Sequence, residues 1–232
     1  MKKILLTIVV VTLACVALQA QNYLGVQVGY TQSISRLNAP EAKNILNPTA
    51  YNGFKVGLVY DATIIKGFGV SMGLNYTFGA NATDWMKKYE ALYPQIRSRG
   101  QYHQLEIPVD WQYKFEIAKR TWLMLYTGPT LQCGLVFKDK WYARSDDKSN
   151  AFTHEKNLYS EEDMEDYALK RLNVTWGIGA GFQYERYFLR GGYDFGLINP
   201  YKAQSFMDKD VYTRGRLDQW QIKLGVYLWE TK

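Results

Sequence analysis

The chain has 232 residues, with 28 Lys and Arg against 22 Asp and Glu and a formal net charge of +6. This mild excess of positive charge does not call for a nucleic-acid partner. Aromatic residues make up 16% of the chain, including 19 Tyr and 7 Trp, which is unusual for a soluble domain and typical of membrane β-barrels with aromatic girdles at both interfaces.

The N-terminal residues predict an export signal. Two lysines precede an apolar run over residues 4–18, and Ala20 offers a small residue for cleavage. We therefore expect a signal peptide over residues 1–20 and one outer-membrane β-barrel domain over residues 21–232. Lipidation at Cys15 is the alternative, although the residues before it fit the lipidation pattern poorly.

Eight segments of the chain alternate between apolar residues and small or polar ones, the pattern of a strand with two different faces. An even number of such strands is what a closed antiparallel barrel requires. We therefore predict an all-β fold, an eight-stranded antiparallel up-and-down transmembrane β-barrel of outer-membrane type. In chain order the predicted strands cover residues 24–31, 54–61, 67–79, 104–115, about 122–137, 172–183, 187–197 and 217 to about 229.

The third strand shows which face meets lipid. In Gly67–Gly79 every even position is large and apolar, whereas every odd position is Gly, Ser, Asn or Thr. A membrane barrel would turn the apolar face to lipid and the thin face to a narrow interior. We expect the glycines to make room for the inward side chains Glu106, Asp110 and Arg190.

The connections between the predicted strands alternate in length. Short links near residues 63–66, 118–120 and 185–186 alternate with long ones over 36–51, 80–99, 138–170 and 199–215. Short turns on one rim and long loops on the other are typical of outer-membrane barrels. This pattern predicts extracellular long loops and periplasmic termini.

A soluble barrel of the lipocalin type is the structural alternative. It would enclose the apolar face and expose the glycine-rich face to water. Exposed glycine strips would have no purpose there, because glycine inside a strand is destabilising unless another group approaches closely. The sequence therefore favours the membrane barrel.

Charged residues recur on the predicted inner face, where four cations meet four anions. Because a buried charge is costly unless it is paired, we predict an interior network of ion pairs and hydrogen bonds that fixes the strand register and leaves no open pore. A narrow, gated path that makes the barrel a small-solute conduit is the alternative. The predicted network comprises Lys55, Asp61, Glu106, Asp110, Lys114, Arg190, Asp194 and Lys223.

Side chains suited to catalysis are sparse. Neither His103 nor His154 has an adjacent Ser or carboxylate at a recognisable spacing, and Cys133 is the only cysteine beyond residue 20. We therefore predict no catalytic residue, no metal site and no cofactor. The alternative is a lipid-modifying enzyme at the barrel rim with His103 near Ser98.

Two of the long loops carry candidate contact residues. In the second, Trp85, Tyr89 and Leu92 have the i, i+4, i+7 spacing of an apolar helical stripe, which would pack on the rim or contact a partner. In the third, Ser160 and Asp163 fit a capping box at the start of a short surface helix. Its carboxylates alternatively bind Ca²⁺ or cations that bridge to lipopolysaccharide. These acidic candidates are Glu161, Glu162, Asp163, Glu165 and Asp166.

Over residues 21–232 the chain resembles the eight-stranded outer-membrane β-barrel family abundant in Bacteroidota, often labelled PorT-like or porin family. The motifs that carry the resemblance are residues 105–109 (LEIPV), 177–182 (GIGAGF) and 190–193 (RGGY) followed by 196–197 (GL). The resemblance implies insertion by the barrel-assembly machinery, and the best-known member is associated with secretion of surface proteins and gliding. The expected partners are therefore outer-membrane lipid and lipopolysaccharide, the assembly machinery and an envelope protein, without nucleic acid. The sequence departs from the usual terminal aromatic residue, because Trp229 is followed by three further residues.

Overall fold

The computed structural model of the chain consists of β-strands. It describes residues 21–37, 50–79, 96–143, 153–160, 169–200, 204–206, 209–211 and 215–231. Within these ranges no helix is long and apolar enough to cross a membrane. The strands are β1 (Gln21–Leu37), β2 (Ala50–Ile65), β3 (Phe68–Gly79), β4 (Ile96–Ala118), β5 (Thr121–Ala143), β6 (Thr153–Asn157), β7 (Leu172–Tyr184), β8 (Tyr187–Gly196), β9 (Gln204–Phe206), β10 (Lys209–Val211) and β11 (Gly215–Thr231).

Eight of the strands form a closed antiparallel ring. Its order is β1, β2, β3, β4, β5, β7, β8 and β11, and β11 pairs back with β1 along its whole length. β6 pairs with the far end of β5, whereas β9 and β10 form a separate hairpin. The predicted eight-stranded up-and-down barrel is therefore confirmed.

The two faces of β3 settle the orientation of the side chains. Met72 and Leu74 are 45% and 46% exposed, whereas Ser71 and Asn75 on the other face are 3% and 1% exposed. The large apolar residues therefore surround the barrel, and the small and polar residues fill it. The lipocalin alternative, which places the apolar face inside, is wrong.

Three two-residue turns close one end of the barrel, called here the turn end. The turn between β2 and β3 has φ angles of 46° at Lys66 and 89° at Gly67, so both residues have the positive φ that a type I′ hairpin turn requires. Arg120 and Glu185 take positive φ in the other two turns. The opposite end carries the long connections and is called the loop end.

Several strands extend further at the loop end than the sequence predicts. β4 begins at Ile96, and β5 continues to Ala143 with β6 paired beside it, so the predicted loops over 80–99 and 138–170 were too long. The predicted loop over 199–215 likewise contains β9 and β10. Strand segments that project beyond the membrane need no lipid-facing residue at every second position, so the alternation that identifies the other strands is missing there.

The glycines of β3 do not have the predicted neighbours. Gly73 faces the ring of Pro108, and Gly79 lies against the aromatic ring of Tyr102. Pro108 has no N–H, and the pairing of β3 with β4 is interrupted beside it. The expectation that these glycines make room for interior charges was therefore wrong, because they accommodate a proline ring and a tyrosine instead.

Candidate functional site: the polar interior and its closed ends

The strongest cluster of charges lies towards the turn end of the interior and is called here the turn-end cluster. Asp61 accepts hydrogen bonds from Arg190 at 2.6 Å and from Lys114 at 3.1 Å, and also from the Tyr227 hydroxyl. Its second carboxylate oxygen accepts a hydrogen bond from Ser71 at 2.6 Å. All five side chains belong to different strands, and Asp61 is fully buried. One carboxylate thus joins two cations from opposite sides of the barrel.

A second group of charges, the loop-end cluster, is built on Lys55 and Glu106. The Lys55 ammonium donates to Glu106 at 2.5 Å and to Gln221 at 2.7 Å. The other Glu106 oxygen accepts hydrogen bonds from Thr77 at 3.0 Å and from neighbouring glutamines. Gln221 in turn donates to Asp194 at 2.8 Å. The cluster therefore connects β2, β3, β4, β8 and β11.

Two of the eight predicted interior charges form no ion pair among the described residues, although the Lys223 ammonium lies over the ring of Tyr126. Asp110 and Lys223 are 7% and 3% exposed, and neither has an oppositely charged atom within 4.0 Å among the described residues. By register, Asp110 lies beside Ser71 and Lys223 beside Arg190, so both adjoin the turn-end cluster. The structure thus buries all eight predicted residues and joins five of them in ion pairs, while Asp194 takes part through Gln221.

Several polar atoms in the interior have no hydrogen-bond partner among the described residues. They come from all around the barrel, and buried polar groups of this kind are ordinarily satisfied by water. The orphaned atoms are Gln27 Oε1, Asn75 Nδ2, Gln112 Nε2, Tyr126 OH, Asn173 Oδ1, Thr175 Oγ1 and Arg190 Nε. The interior of the barrel is therefore a polar core, in which not every buried polar atom is satisfied by a described side chain.

An apolar layer lies at the turn end of this polar core. Met124, Phe188 and Tyr227 pack together with Val59, and Tyr23 leans on them with its ring centroid 5.0 Å from that of Tyr227. Beyond this layer a mouth of about 960 Å³ opens at the turn end, lined by Tyr23, Lys114 and Tyr227 among others. The mouth is a recess that reaches Lys114 and Gln183 of the polar interior as well as the rings of Tyr23 and Tyr227.

A second apolar layer covers the core at the loop end. Tyr102 and Phe137 pack with Leu158, which follows β6, and Tyr159 contributes a ring 6.1 Å from that of Phe137. Backbone hydrogen bonds hold this turn in place, because the Leu158 N–H donates to Phe137 and the Leu169 N–H donates to Leu158, both at 2.8 Å. Apolar side chains therefore cover the polar core at the loop end, whereas at the turn end they lie beside Lys114, which lines the mouth.

A sequence model of the family described as "Outer membrane protein beta-barrel domain" matches residues 19–201, most of the chain. The chain belongs to this family. It is therefore an integral protein of an outer membrane, and the polar core described above lies inside its membrane-spanning part.

Several solved structures are similar to this outer-membrane barrel. The attachment invasion locus protein Ail of Yersinia pestis has 12% identity and a TM-score of 0.41, and the match covers 89% of this chain and 97% of that chain. Neisserial surface protein A has 11% identity, coverage of 88% and 97%, and a TM-score of 0.41. The outer membrane enzyme PagL has 10% identity, coverage of 86% and 99%, and a TM-score of 0.40. No curated protein matches the chain.

His103 of this outer-membrane barrel is held by polar neighbours on the outer wall. Its Nδ1 lies 2.6 Å from the Tyr76 hydroxyl, and its Nε2 lies 2.9 Å from the Gln101 amide nitrogen. Both ring nitrogens are thus engaged by groups that are neither a serine nor a carboxylate. Among the described residues there is also no group of three or more His, Cys, Asp or Glu placed to hold a metal ion.

The two predicted groups of loop contacts lie outside the described residues. They are Trp85, Tyr89 and Leu92 in the second long connection and Glu161, Glu162, Asp163, Glu165 and Asp166 in the third. Sequence reasoning also missed the two apolar layers as elements of the site. Their signal was present, because Met124, Phe188 and Tyr227 have the inward parity of their strands.

Proposed function

We propose that this outer-membrane barrel is a closed, non-enzymatic protein whose role is structural or lies in contacts with other envelope components. The observation that carries the proposal is the filled interior, which four cations, four anions and two layers of apolar side chains occupy. An eight-stranded barrel has an interior just wide enough for side chains, so these groups occupy the space that a pore would need.

Planar-bilayer recording tests the closed state. Protein refolded in detergent, with its folding verified by heat-modifiable migration on a gel, is expected to give no steady openings. A porin reconstituted in the same lipid provides the positive control. Steady openings of porin size would overturn the proposal.

The second part of the proposal is the orientation, with the long connections extracellular and the chain termini periplasmic. The short turns at one end and the long connections at the other support it. In a Cys133→Ser background, Ser149→Cys in the third long connection is expected to react with a membrane-impermeant maleimide on whole cells. Lys119→Cys in a turn is the matched control and should react only after the outer membrane is permeabilised. The reverse labelling pattern would contradict this orientation.

A secretion-associated role is the more specific form of the proposal. Its support is the resemblance of residues 105–109 and 190–193 to motifs of the PorT-like family. A strain lacking this protein is then expected to retain surface proteins inside the cell, and the wild-type gene should restore their secretion. Normal secretion in the deletion strain would overturn this form and leave the closed barrel unaffected.

A small-solute conduit is the second candidate, and the orphaned polar atoms of the core favour it. Buried polar atoms of this kind are ordinarily satisfied by water, which any conduit would also contain. The two apolar layers argue for the closed form instead. Liposome swelling in small sugars or amino acids separates the two, because only a conduit accelerates swelling relative to empty liposomes.

A further inference from the structure

A buried carboxylate lies on the outer wall of the barrel near the loop end. Asp218 of β11 is fully buried although its neighbours along the same face, Trp220 and Ile222, point outward. One of its oxygens forms ion pairs with Arg36 Nε at 2.8 Å and with Arg216 Nε at 3.1 Å. The Tyr193 hydroxyl donates to the same oxygen at 2.9 Å, so a single atom gathers three donors.

The carboxylate holds two guanidinium groups side by side. Arg36 and Arg216 are cross-strand partners on β1 and β11, and each uses its Nε to reach Asp218. The other Asp218 oxygen is satisfied by the Gly196 N–H at 3.1 Å. Two positive charges against one negative charge leave the group with a net charge of +1.

The terminal nitrogens of both arginines are available to a ligand. The two side chains are 52% and 51% exposed, and the only further contact described for these nitrogens is a 3.4 Å approach of Arg36 Nη2 to the Tyr193 hydroxyl. Two guanidinium forks directed outward from one point match the oxygens of a phosphate group, which arginine binds through paired hydrogen bonds.

The position of this arginine pair is that of a lipid headgroup. Below it on the same wall the rings of Tyr30 and Trp220 lie 5.3 Å apart, and the exposed apolar residues Val28 and Ile222 follow towards the turn end. On the neighbouring strand β8, Phe195 also faces outward with 37% exposure, and continuation of the β8–β11 register places it beside Asp218. Aromatic residues mark the membrane interface, so the pair lies just outside the apolar band.

We propose that Arg36 and Arg216 bind a phosphate group of the phosphorylated glycolipid that forms the outer leaflet of the outer membrane. The proposal rests on the orientation argued above, which places the loop end at that leaflet. A lipid is favoured over a soluble anion because the apolar wall beside the pair accepts acyl chains. Asp218 serves as the anchor that holds two like charges together.

Native mass spectrometry of the purified, detergent-folded protein tests the site with three lipid probes: bisphosphorylated lipid A, the same lipid without phosphates, and phosphatidylglycerol. The Arg36→Gln/Arg216→Gln variant is expected to retain bisphosphorylated lipid A about tenfold less than the wild type, as loss of one or more charge-assisted hydrogen bonds predicts. The dephosphorylated lipid should bind both proteins equally weakly.

Arg120→Gln supplies the matched control. Arg120 is also exposed and paired with a carboxylate, Glu185, but it lies in a turn at the opposite end. Its loss should leave lipid A retention at the wild-type value. Heat-modifiable migration verifies the folding of every variant. Should the double variant fail to fold, the two single variants replace it.

Undiminished retention in the Arg36 and Arg216 variants would overturn the site. Equal retention of phosphatidylglycerol would overturn the glycolipid assignment, whereas a reversed maleimide labelling pattern would contradict the orientation alone.

Discussion

Arg190 of β8 and Asp61 of β2 form an ion pair through the interior of the barrel, with 2.6 Å between Nη2 and Oδ2. β1 and β11 separate these two strands in the ring, so the backbone ladders do not connect them directly. The side-chain pair therefore fixes the relative position of strands that share no backbone hydrogen bond. The same carboxylate also binds Lys114 of β4, which extends the connection to the far wall.

Asp61→Asn is expected to destabilise the barrel strongly. The change leaves Arg190 and Lys114 buried without their shared anion, and breaking a buried ion pair by removing one partner costs about 3–5 kcal/mol of unfolding free energy. Urea-induced unfolding in lipid vesicles, followed by tryptophan fluorescence, measures the loss.

Glu185→Gln is the matched control for this experiment. It removes the carboxylate of the Arg120–Glu185 pair, whose side chains are 66% and 39% exposed in a turn. Water and salt screen such a pair, so the unfolding curve of Glu185→Gln should coincide with that of the wild type within error. A similar loss in both variants would contradict the role assigned to Asp61.

Gly179→Ala is expected to disturb the packing of the polar core. Gly179 and Gly192 are cross-strand partners that form a slot for the phenol ring of Tyr126, and a methyl group at Gly179 would overlap that ring and the Gly191 carbonyl oxygen. Overpacking of this kind typically costs about 1–3 kcal/mol. The same urea titration reports the change in the unfolding free energy.

Gly191→Ala is a control within the same pair of strands. Gly191 faces outward, and the nearest atom to an added methyl group there is 3.9 Å away. We expect no loss of stability, because the methyl group meets lipid. Equal destabilisation by both substitutions would indicate a general effect of alanine on the strands rather than a clash with Tyr126.

The faces of the strands could be predicted from the sequence because side chains alternate with a period of two. That rule placed Lys55, Glu106 and Arg190 inside without any knowledge of their partners. The pairing itself depends on strand tilt and stagger around the closed ring, which bring Lys55 of β2 to Glu106 of β4 across β3. No local pattern in the sequence encodes that stagger.

The closed ends and the outer-wall carboxylate were harder to predict for a different reason. Tyr102, Phe137 and Tyr227 point inward, but as large apolar residues they resemble the lipid-facing set that defines the opposite parity. Asp218 has the parity of a lipid-facing residue, and only the three donors around it explain why a charge is tolerated there. In both cases the explanation lies in contacts between distant parts of the chain.

Phe137→Ala is expected to loosen the apolar layer at the loop end. Phe137 contacts Leu158, Tyr102 and Tyr51, and its carbonyl oxygen accepts the Leu158 N–H. Without the ring, the turn at Leu158 loses most of its packing, so the amides of Leu158 and Leu169 should exchange hydrogen faster by an order of magnitude or more. Hydrogen exchange read residue by residue measures this local opening.

Leu135→Ala serves as the comparison, because Leu135 lies on the same strand but faces outward with 44% exposure. Its removal should leave exchange at Leu158 and Leu169 unchanged. Faster exchange at these two amides in both variants would mean that the turn responds to β5 as a whole rather than to the ring of Phe137.

Glu155 makes the hairpin of β5 and β6 sensitive to acid. Hydrogen bonds from Lys138 and Lys140, at 2.6 Å and 2.7 Å, lower the pKa of Glu155 below its ordinary value of 4.5. Because the pKa is lower in the folded hairpin, this stabilisation is fully present above pH 4.5 and is lost as the pH falls through the lowered value. Protection factors of the β6 amides, corrected for intrinsic exchange, should therefore fall between about pH 5 and pH 3. Glu155→Gln should show reduced protection that does not change over this range, and a wild-type pH dependence in that variant would assign the effect to another carboxylate.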